Sequence, residues 1–253
     1  MTDAAPTERL ALRDAYTREF DATITAVDRG SADEQPVRVA LDRTAFYATG
    51  GGQPHDTGSL VGPGWEVDVT DVRPEGPVVW HSLADAAAAP DVGDAVHGTI
   101  DWDRRHGLMR THSALHVLCG VIWNEWDTAV TGGNMEPLSA RMDFEFDPLP
   151  EGFKGRVGEL VNAEIVADRP IEISFLERGV ALADEDLIRT KVNLIPASVT
   201  EIRVVDIVGL DKQADGGTHV ASTGEIGGFE VTKTESKGKG NKRLRIRVVD
   251  EAP

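Results

Sequence analysis

The sequence has little cysteine and no long apolar run. Among its 253 residues there is one cysteine, Cys119, which excludes an internal disulfide framework and makes a reducing cytoplasm the expected location. No apolar run approaches the roughly 20 residues that a membrane-spanning helix needs, so no membrane span is expected. The first residues, MTDAAPTERLALRD, lack a basic region followed by an apolar core, so we expect no secretory signal.

Lysine is also scarce, and acids are in surplus. The chain carries 24 Asp and 19 Glu against 7 Lys and 19 Arg, for a net charge of −17. A surface of this charge repels nucleic acid, which works against any function in binding tRNA or DNA. The exception is residues 233–247, KTESKGKGNKRLRIR, which hold seven basic residues and one acid. A local basic loop of this kind can still bind phosphates.

The first hundred residues predict a small β-barrel. Residues 7–20 predict a short helix or helical turn, and Gly/Pro turns separate the apolar, alternating segments that follow. Many short strands joined by turns are typical of a barrel. The predicted strands are 21–29, 37–41, 65–69, 78–81 and 95–101. We assign residues 1–100 to this domain.

From Trp102 the pattern changes to helices and an antiparallel sheet. Residues 106–126 predict an amphipathic helix with an apolar stripe, and Gly132–Gly133 predict a loop. The other predicted elements are strands at 140–146, 171–175 and 202–208, helices at 151–168 and 180–189, and a hairpin over 227–249. We assign residues 101–253 to a second domain, and the chain to the α+β class.

Three histidines and an aspartate form a candidate metal site. His112 and His116 are four residues apart, which puts both rings on one face of the predicted helix. His219 can supply a third nitrogen, and Asp215 a carboxylate, directly or through a water, in a set that suits zinc. Buried histidines held only by hydrogen bonds give the same spacing, so the pair alone is a weak signal. Zinc proteases of the H-E-x-x-H type need Glu directly after the first His, and this chain has Ser113 there. We therefore do not expect a zinc protease.

Four ordered blocks give the sequence a family resemblance. They are TAFYATGGGQPHDTG at 44–58, HSALH at 112–116, QADGGTHV at 213–220 and KGKGNKR at 237–243. Together they resemble the AlaX family, freestanding relatives of the editing domain of alanyl-tRNA synthetase, over about residues 12–249. The editing domain of threonyl-tRNA synthetase is similar to the second half only. The resemblance implies a small β-barrel joined to an α+β editing domain.

The resemblance also implies an activity and a cofactor. AlaX proteins hydrolyse, in trans, the ester of tRNA(Ala) that carries the wrong amino acid, chiefly serine, with glycine left open here. The family's zinc ligands fall on His112, His116 and His219, with a fourth from the position of Asp215, so one Zn²⁺ per chain is expected. That fourth position is usually Cys, and aspartate is a harder ligand than a thiolate.

Two residues of the first block are the candidate catalytic residues. The hydroxyl of Thr44 can bond the side-chain hydroxyl of serine, which alanine lacks, although an ordinary β-branched strand residue fits the position as well. Gln53 follows the Gly50–Gly52 run and is expected to position the water or the acyl group. His55 and Asp56 fit a loop-stabilising pair as well as a catalytic one. The glycine run either approaches the 3′ end of the RNA or forms a tight turn.

The basic block supplies candidate RNA-binding residues. These are Lys237, Lys239, Lys242 and Arg243 at the predicted hairpin turn, for which a solvated hairpin tip is the alternative. Two other functions stay open, an editing enzyme for another tRNA or amino acid and a non-catalytic tRNA-binding relative. The complete block at residues 44–58 favours an editing protein for tRNA(Ala) over one for another tRNA. The sequence does not indicate an oligomeric state.

Overall fold

The computed structural model describes residues 5–30, 36–84, 89–183, 187, 200–238 and 240–251. The chain divides into two compact units. We call Met1–Gly50 with Pro54–Arg105 the barrel unit, and Gly51–Gln53 with His106–Pro253 the helix–sheet unit. The predicted α+β class, with a barrel first and helices on a sheet after it, is confirmed. The division into residues 1–100 and 101–253 stays a prediction.

Six antiparallel strands close into a barrel in the first unit. Alternate residues at the start of the first of these strands are buried, namely Phe20, Ala22 and Ile24, because successive side chains point to opposite faces. The strands are β2 (Glu19–Asp28), β3 (Arg38–Leu41), β5 (Gly58–Gly62), β6 (Trp65–Glu75), β7 (Val78–Leu83) and β8 (Ala95–Ile100). Their order around the barrel is β2-β3-β7-β6-β5-β8. The inward apolar residues form one continuous core.

Of the short helix or helical turn predicted over residues 7–20, only a turn is present. This stretch holds β1 (Glu8–Arg9), a 3₁₀ turn at Leu10–Leu12 and the first residues of β2. Strand β1 pairs in parallel with β4 (Arg43–Thr44), and Glu19 already pairs with β8. Pairing with distant strands outweighs a local helical pattern here.

A buried ion pair holds the loop that follows β4. The guanidinium of Arg105 binds the carboxylate of Asp56, and both side chains are fully buried. Arg105 also donates to the carbonyl of Ala45 at 2.5 Å, and Asp56 accepts from the backbone N–H of Tyr47 at 2.6 Å. His55 has separate partners, the hydroxyl of Thr49 and the carboxylate of Asp71. His55 and Asp56 therefore stabilise the loop without bonding to each other.

The described residues of the second unit form three α-helices and two antiparallel sheets. The helices are α1 (Trp102–Trp126), which starts within the barrel unit, α2 (Phe153–Val166) and α3 (Arg178–Ala183). The strands are β9 (Val130–Glu136), β10 (Ser139–Glu145), β11 (Ile171–Glu177), β12 (Glu201–Ile207), β13 (Asp211–Ala214), β14 (Gly228–Ser236) and β15 (Asn241–Val249). One sheet has the order β14-β15-β10-β9 and the other β11-β12-β13. Helix α2 covers the edge strand β14, where the amide of Asn162 bonds the N–H and carbonyl of Phe229.

Several element predictions for this half need correction. The glycines at 132 and 133 lie inside β9, paired with Asp143 and Met142, and not in a loop. Residues 211–214 form β13, which the pattern did not predict. Helix α3 ends at Ala183, and the rest of the helix predicted over 180–189, except Leu187, lies outside the described residues.

Helix α1 is buried on nearly every side, where the sequence predicted a single apolar stripe. Between Gly107 and Ile122 every residue except Arg110 is buried. Strand β10 approaches one side, with the sulfur atoms of Cys119 and Met142 at 3.5 Å. No helix among the described residues is both long and apolar enough to cross a membrane.

Candidate metal centre

Four side chains of the helix–sheet unit converge on one point. His112 and His116 come from adjacent turns of α1, and Asp215 and His219 from the loop after β13. One potential ligand atom from each lies within 4.8 Å of those of the other three. The centroid of the His219 ring lies 4.4 Å from that of His112 and 4.8 Å from that of His116. The structure therefore brings together all four residues that the sequence predicted as ligands.

Each histidine of the cluster has a hydrogen-bond partner at Nδ1. For His112 the partner is Oε1 of Gln53 at 3.0 Å, and for His219 it is Oγ of Ser113 at 3.2 Å. For His116 it is Oδ2 of Asp211 at 3.1 Å. A ring held at Nδ1 directs Nε2 toward the other groups of the cluster, and Nε2 of His219 lies 3.1 Å from Oδ2 of Asp215.

Gln53 is almost completely buried beside the cluster. Its Oε1 also accepts from the backbone N–H of Thr218 at 3.0 Å, and its Nε2 donates to the hydroxyl of the same residue at 2.9 Å. The side chain thus ties the end of the glycine run to the loop that carries His219. The water or acyl group that Gln53 is expected to position stays a prediction.

Gly217 is required by space in this loop. A Cβ at Gly217 would lie 2.1 Å from Cε1 of His112 and 2.7 Å from Oε1 of Gln53. Gly216 meets no such atom within 4 Å. The second glycine of the pair therefore allows the loop to approach the His112 ring closely.

The pKa shifts of three of the four groups suit a bound cation. Burial lowers the pKa of His112 to about 4 and that of His219 well below its usual value, with the neighbouring histidines adding to the effect. Although burial raises the pKa of Asp215, His112 and His219 hold it well below its usual range. Burial likewise lowers the pKa of His116, but Asp211 and Asp215 raise it by more. Neutral imidazoles at His112 and His219 beside an ionised Asp215 are what metal ligation needs, whereas the raised pKa of His116 favours a proton in place of the metal.

The donor set fits a zinc-type ion better than a magnesium- or calcium-type ion. Three imidazole nitrogens are borderline ligands that suit zinc, which also accepts one carboxylate oxygen, whereas the harder cations prefer all-oxygen sites. Asp215 is held by the backbone N–H of Gly217 at 2.5 Å, and its carbonyl accepts from Arg203 at 2.9 Å. The four residues His112, His116, Asp215 and His219 can hold one metal ion.

Thr44 lies in the barrel unit, fully buried at the end of β4. Its hydroxyl accepts from the backbone N–H of Phe46 at 3.1 Å and lies 2.9 Å from Nε2 of His81. His81 is fully buried, and its Nδ1 lies 3.2 Å from the carbonyl of Val39. The bond from Nδ1–H to this carbonyl leaves Nε2 unprotonated, so the Thr44 hydroxyl donates to it.

The predicted RNA-binding residues have different surroundings in the β14–β15 hairpin. Arg243 makes a two-pronged ion pair with Asp143, with Nε–Oδ1 and Nη2–Oδ2 both at 2.7 Å. Lys237 is exposed, and Nζ of Lys242 lies 3.2 Å from the hydroxyl of Ser236. Lys239 lies outside the described residues. Of the four, Lys237 and Lys242 are therefore better placed than Arg243 to bind phosphates.

Known proteins match this chain over nearly its whole length. The family model for the threonyl and alanyl tRNA synthetase second additional domain matches residues 202–245, and that for class II (A) tRNA synthetases matches residues 13–104. The "Alanyl-tRNA editing protein AlaX-M" of Saccharolobus solfataricus is 37% identical over 247 residues, which cover 96% of this chain and 99% of that protein. The protein of the same name from Methanosarcina acetivorans is 35% identical and covered over its full length. This chain belongs to the AlaX family.

The AlaX chain also matches a part of longer proteins. An alanine–tRNA ligase of Pyrobaculum aerophilum is 36% identical over 242 residues, which cover 93% of this chain but 26% of the ligase. The resemblance predicted from the four sequence blocks is thereby confirmed.

Sequence reasoning missed several residues that lie around the candidate metal centre. They are Asp211, Ser113, Thr218 and Arg203. Asp211 had no clear signal, because Lys212 between Asp211 and Gln213 is also polar and hides any period of two. Ser113 was noted only as the residue that replaces a protease glutamate, and no local spacing links it to His219, 106 residues later.

Proposed function

We propose that this protein is a trans-editing aminoacyl-tRNA deacylase that removes serine from tRNA(Ala). The observation that carries the proposal is the cluster of His112, His116, Asp215 and His219 in a chain that matches AlaX-M proteins over their full length. Water would hydrolyse the ester bond between the amino acid and the ribose, releasing the free amino acid and the ribose hydroxyl. Serine as the chief substrate and zinc as the metal are parts of this proposal.

The four residues of the cluster would hold one Zn²⁺. Such an ion supplies a Lewis acid that polarises a carbonyl or lowers the pKa of water. The protein's own contribution is a rigid frame, because all three Nδ1 atoms are bonded and the rings are buried. Gln53 would position the water or the acyl group, with its amide fixed by His112 and Thr218.

Thr44 would supply selectivity for serine. Its hydroxyl proton is committed to His81, so a lone pair of Oγ is what it offers to a hydroxyl of the substrate. A polar group that the correct product, alanyl-tRNA, cannot satisfy discriminates strongly against that product. The tRNA would be bound in part by Lys237 and Lys242, with Lys239 and Arg243 as further candidates. The cytoplasm is the proposed location.

Metal analysis and a deacylation assay test this proposal on the full-length protein. We expect about one zinc per chain, hydrolysis of seryl-tRNA(Ala), and little hydrolysis of alanyl-tRNA(Ala). His112→Ala should reduce zinc affinity by at least about tenfold and reduce hydrolysis to background. The matched control is His97→Gln, which changes a part-exposed histidine of the barrel whose partner is Asp21.

Three outcomes would contradict different parts of the proposal. Hydrolysis of another mischarged tRNA in preference to seryl-tRNA(Ala) would leave an editing enzyme with a different substrate. Tight tRNA binding without hydrolysis would indicate a non-catalytic relative. Full activity and full zinc content in His112→Ala would exclude the cluster as the metal site.

A further inference from the structure

Asp211 is a buried acid next to the candidate metal centre that belongs to no predicted site. Its side chain is fully buried, and its Oδ2 lies 3.1 Å from Nδ1 of His116. The same oxygen accepts from Nε2 of Gln213 at 2.7 Å. Gln213 is two residues along β13, so both side chains project from the same face of the strand.

The surroundings of Asp211 bring it close to His116 and hold it there. Gly120 lies one turn after His116 on α1, where a Cβ would be only 3.0 Å from Cβ of Asp211 and 3.1 Å from the carbonyl oxygen of Leu210. The missing side chain at this position lets the start of β13 lie directly on the helix. Register pairing of Asp211 with Ile207 fixes the backbone of the acid.

Burying a carboxylate away from water is costly unless charged or polar partners compensate. An imidazole whose Nε2 binds a cation becomes a stronger hydrogen-bond donor at Nδ1. The cost of burying a carboxylate next to Nδ1 is therefore offset most when the metal is present. The two other histidines have neutral partners, Gln53 and Ser113. Asp211 therefore differs from the other Nδ1 partners in carrying a charge.

We infer that Asp211 is a positioning residue for the metal, which orients His116 through Nδ1 and strengthens its Nε2 as a ligand. This inference rests on the proposed metal site and adds to it a residue that does not touch the metal. Gln213 keeps the carboxylate turned toward the ring.

The test is a comparison of Asp211→Asn with Asp206→Asn in the full-length protein. Asp206 is an acid on the neighbouring strand β12, partly exposed and paired in register with Lys212. Zinc affinity is measured by competition with a chelator, and the fold by circular dichroism without metal. We expect Asp211→Asn to weaken zinc binding by about 10- to 100-fold, and Asp206→Asn to leave it unchanged within about twofold.

A second measurement does not depend on the variants folding. In the zinc-loaded wild-type protein with ¹⁵N-labelled histidine, His116 should carry its proton on Nδ1 and exchange it slowly with water. A His116 protonated on Nε2 would overturn the inference, and so would a folded Asp211→Asn with wild-type zinc affinity. If the wild-type protein binds no zinc, the proposed metal site itself falls, together with the inference. Wild-type binding with an unaffected Asp211→Asn removes the inference alone.

Discussion

The hydroxyl of Thr44 lies 2.9 Å from Nε2 of His81 in the barrel unit, and both side chains are fully buried. The hydroxyl that we propose selects serine is thus also part of the barrel's hydrogen bonding. Its two roles, toward the fold and toward the substrate, can be separated by substitutions that keep or remove the hydroxyl.

Thr44→Val should lower both stability and selectivity. Valine leaves Nε2 of His81 and the N–H of Phe46 without their partner, which costs about 1–3 kcal/mol for buried polar groups. Thr44→Ser keeps the hydroxyl and should reduce the unfolding free energy by less than about 1 kcal/mol. Denaturant unfolding measures the difference, and the ratio of seryl- to alanyl-tRNA(Ala) hydrolysis should fall only in the valine variant. Equal stabilities of the two variants would show that the bond to His81 contributes nothing.

His81 should make the protein less stable in acid. Burial lowers the pKa of His81 to about 4, against 6.5 in its ordinary environment. Between these values the unfolded chain binds a proton that the folded chain does not, so the unfolding free energy falls as pH decreases from about 6.5 to about 4. The loss approaches about 3 kcal/mol at the acid end, and it is absent above about pH 7.

The contribution of His81 is isolated by comparing variants. Unfolding of wild type and His81→Leu from about pH 7 to about pH 4 should give curves that converge toward the acid end. His97→Gln serves as the control, since this part-exposed histidine pairs with Asp21 at the surface. A constant difference between wild type and His81→Leu over this pH range would contradict the buried, neutral His81.

Asp215 should behave as a metal ligand that a thiolate can replace. Asp215→Ala removes one of four donors and should weaken zinc binding by at least about tenfold, because fewer ligands hold the ion. Asp215→Cys supplies the residue usual in the family, and we expect zinc binding at least as tight as in wild type, since zinc favours sulfur. Chelator competition measures both. Wild-type affinity in Asp215→Ala would mean that Asp215 is not a ligand.

The candidate site was largely predictable because its strongest signals are local. His112 and His116 are four residues apart, and Asp215 precedes His219 by four, so each pair is visible in a short stretch of sequence. The contacts that join these two stretches are between residues far apart in the sequence. Asp211 reaches His116 across 95 residues, and Gly120 permits this only because nothing projects from the helix at that point.

The fold was predictable where polar and apolar residues alternate regularly. It was mispredicted where pairing with a strand distant in the sequence determines the local structure. The strand predicted over residues 21–29 and the final hairpin follow a period of two, and both are present. Residues 132–133 look like a loop because glycine disfavours strands, yet pairing with β10 makes them part of β9. The stripe predicted for α1 failed because the helix is buried almost all round.

Gly217→Ala and Gly216→Ala should differ sharply. At Gly217 the new methyl group would lie 2.1 and 2.2 Å from two atoms of the His112 ring, so the loop or the ring has to move. We expect a decrease of about 1–3 kcal/mol in stability and weaker zinc binding. At Gly216 the methyl group meets nothing within 4 Å, and the change should be neutral or slightly stabilising. Thermal unfolding and zinc titration check both, and similar behaviour of the two variants would contradict the close approach at Gly217.

Lys237→Ala combined with Lys242→Ala should weaken tRNA binding through its electrostatic part. Each lysine that neutralises a phosphate releases a counterion, so the slope of log affinity against log salt should decrease by about one unit for each phosphate that the variant no longer neutralises. Titration of tRNA(Ala) at several KCl concentrations measures the slope. Lys154→Ala, which removes one positive charge from α2, is the control for a single lysine. Arg243→Ala should instead lower stability, because it leaves Asp143 without its two-pronged partner. A slope unchanged by the double substitution would reject phosphate binding at this hairpin.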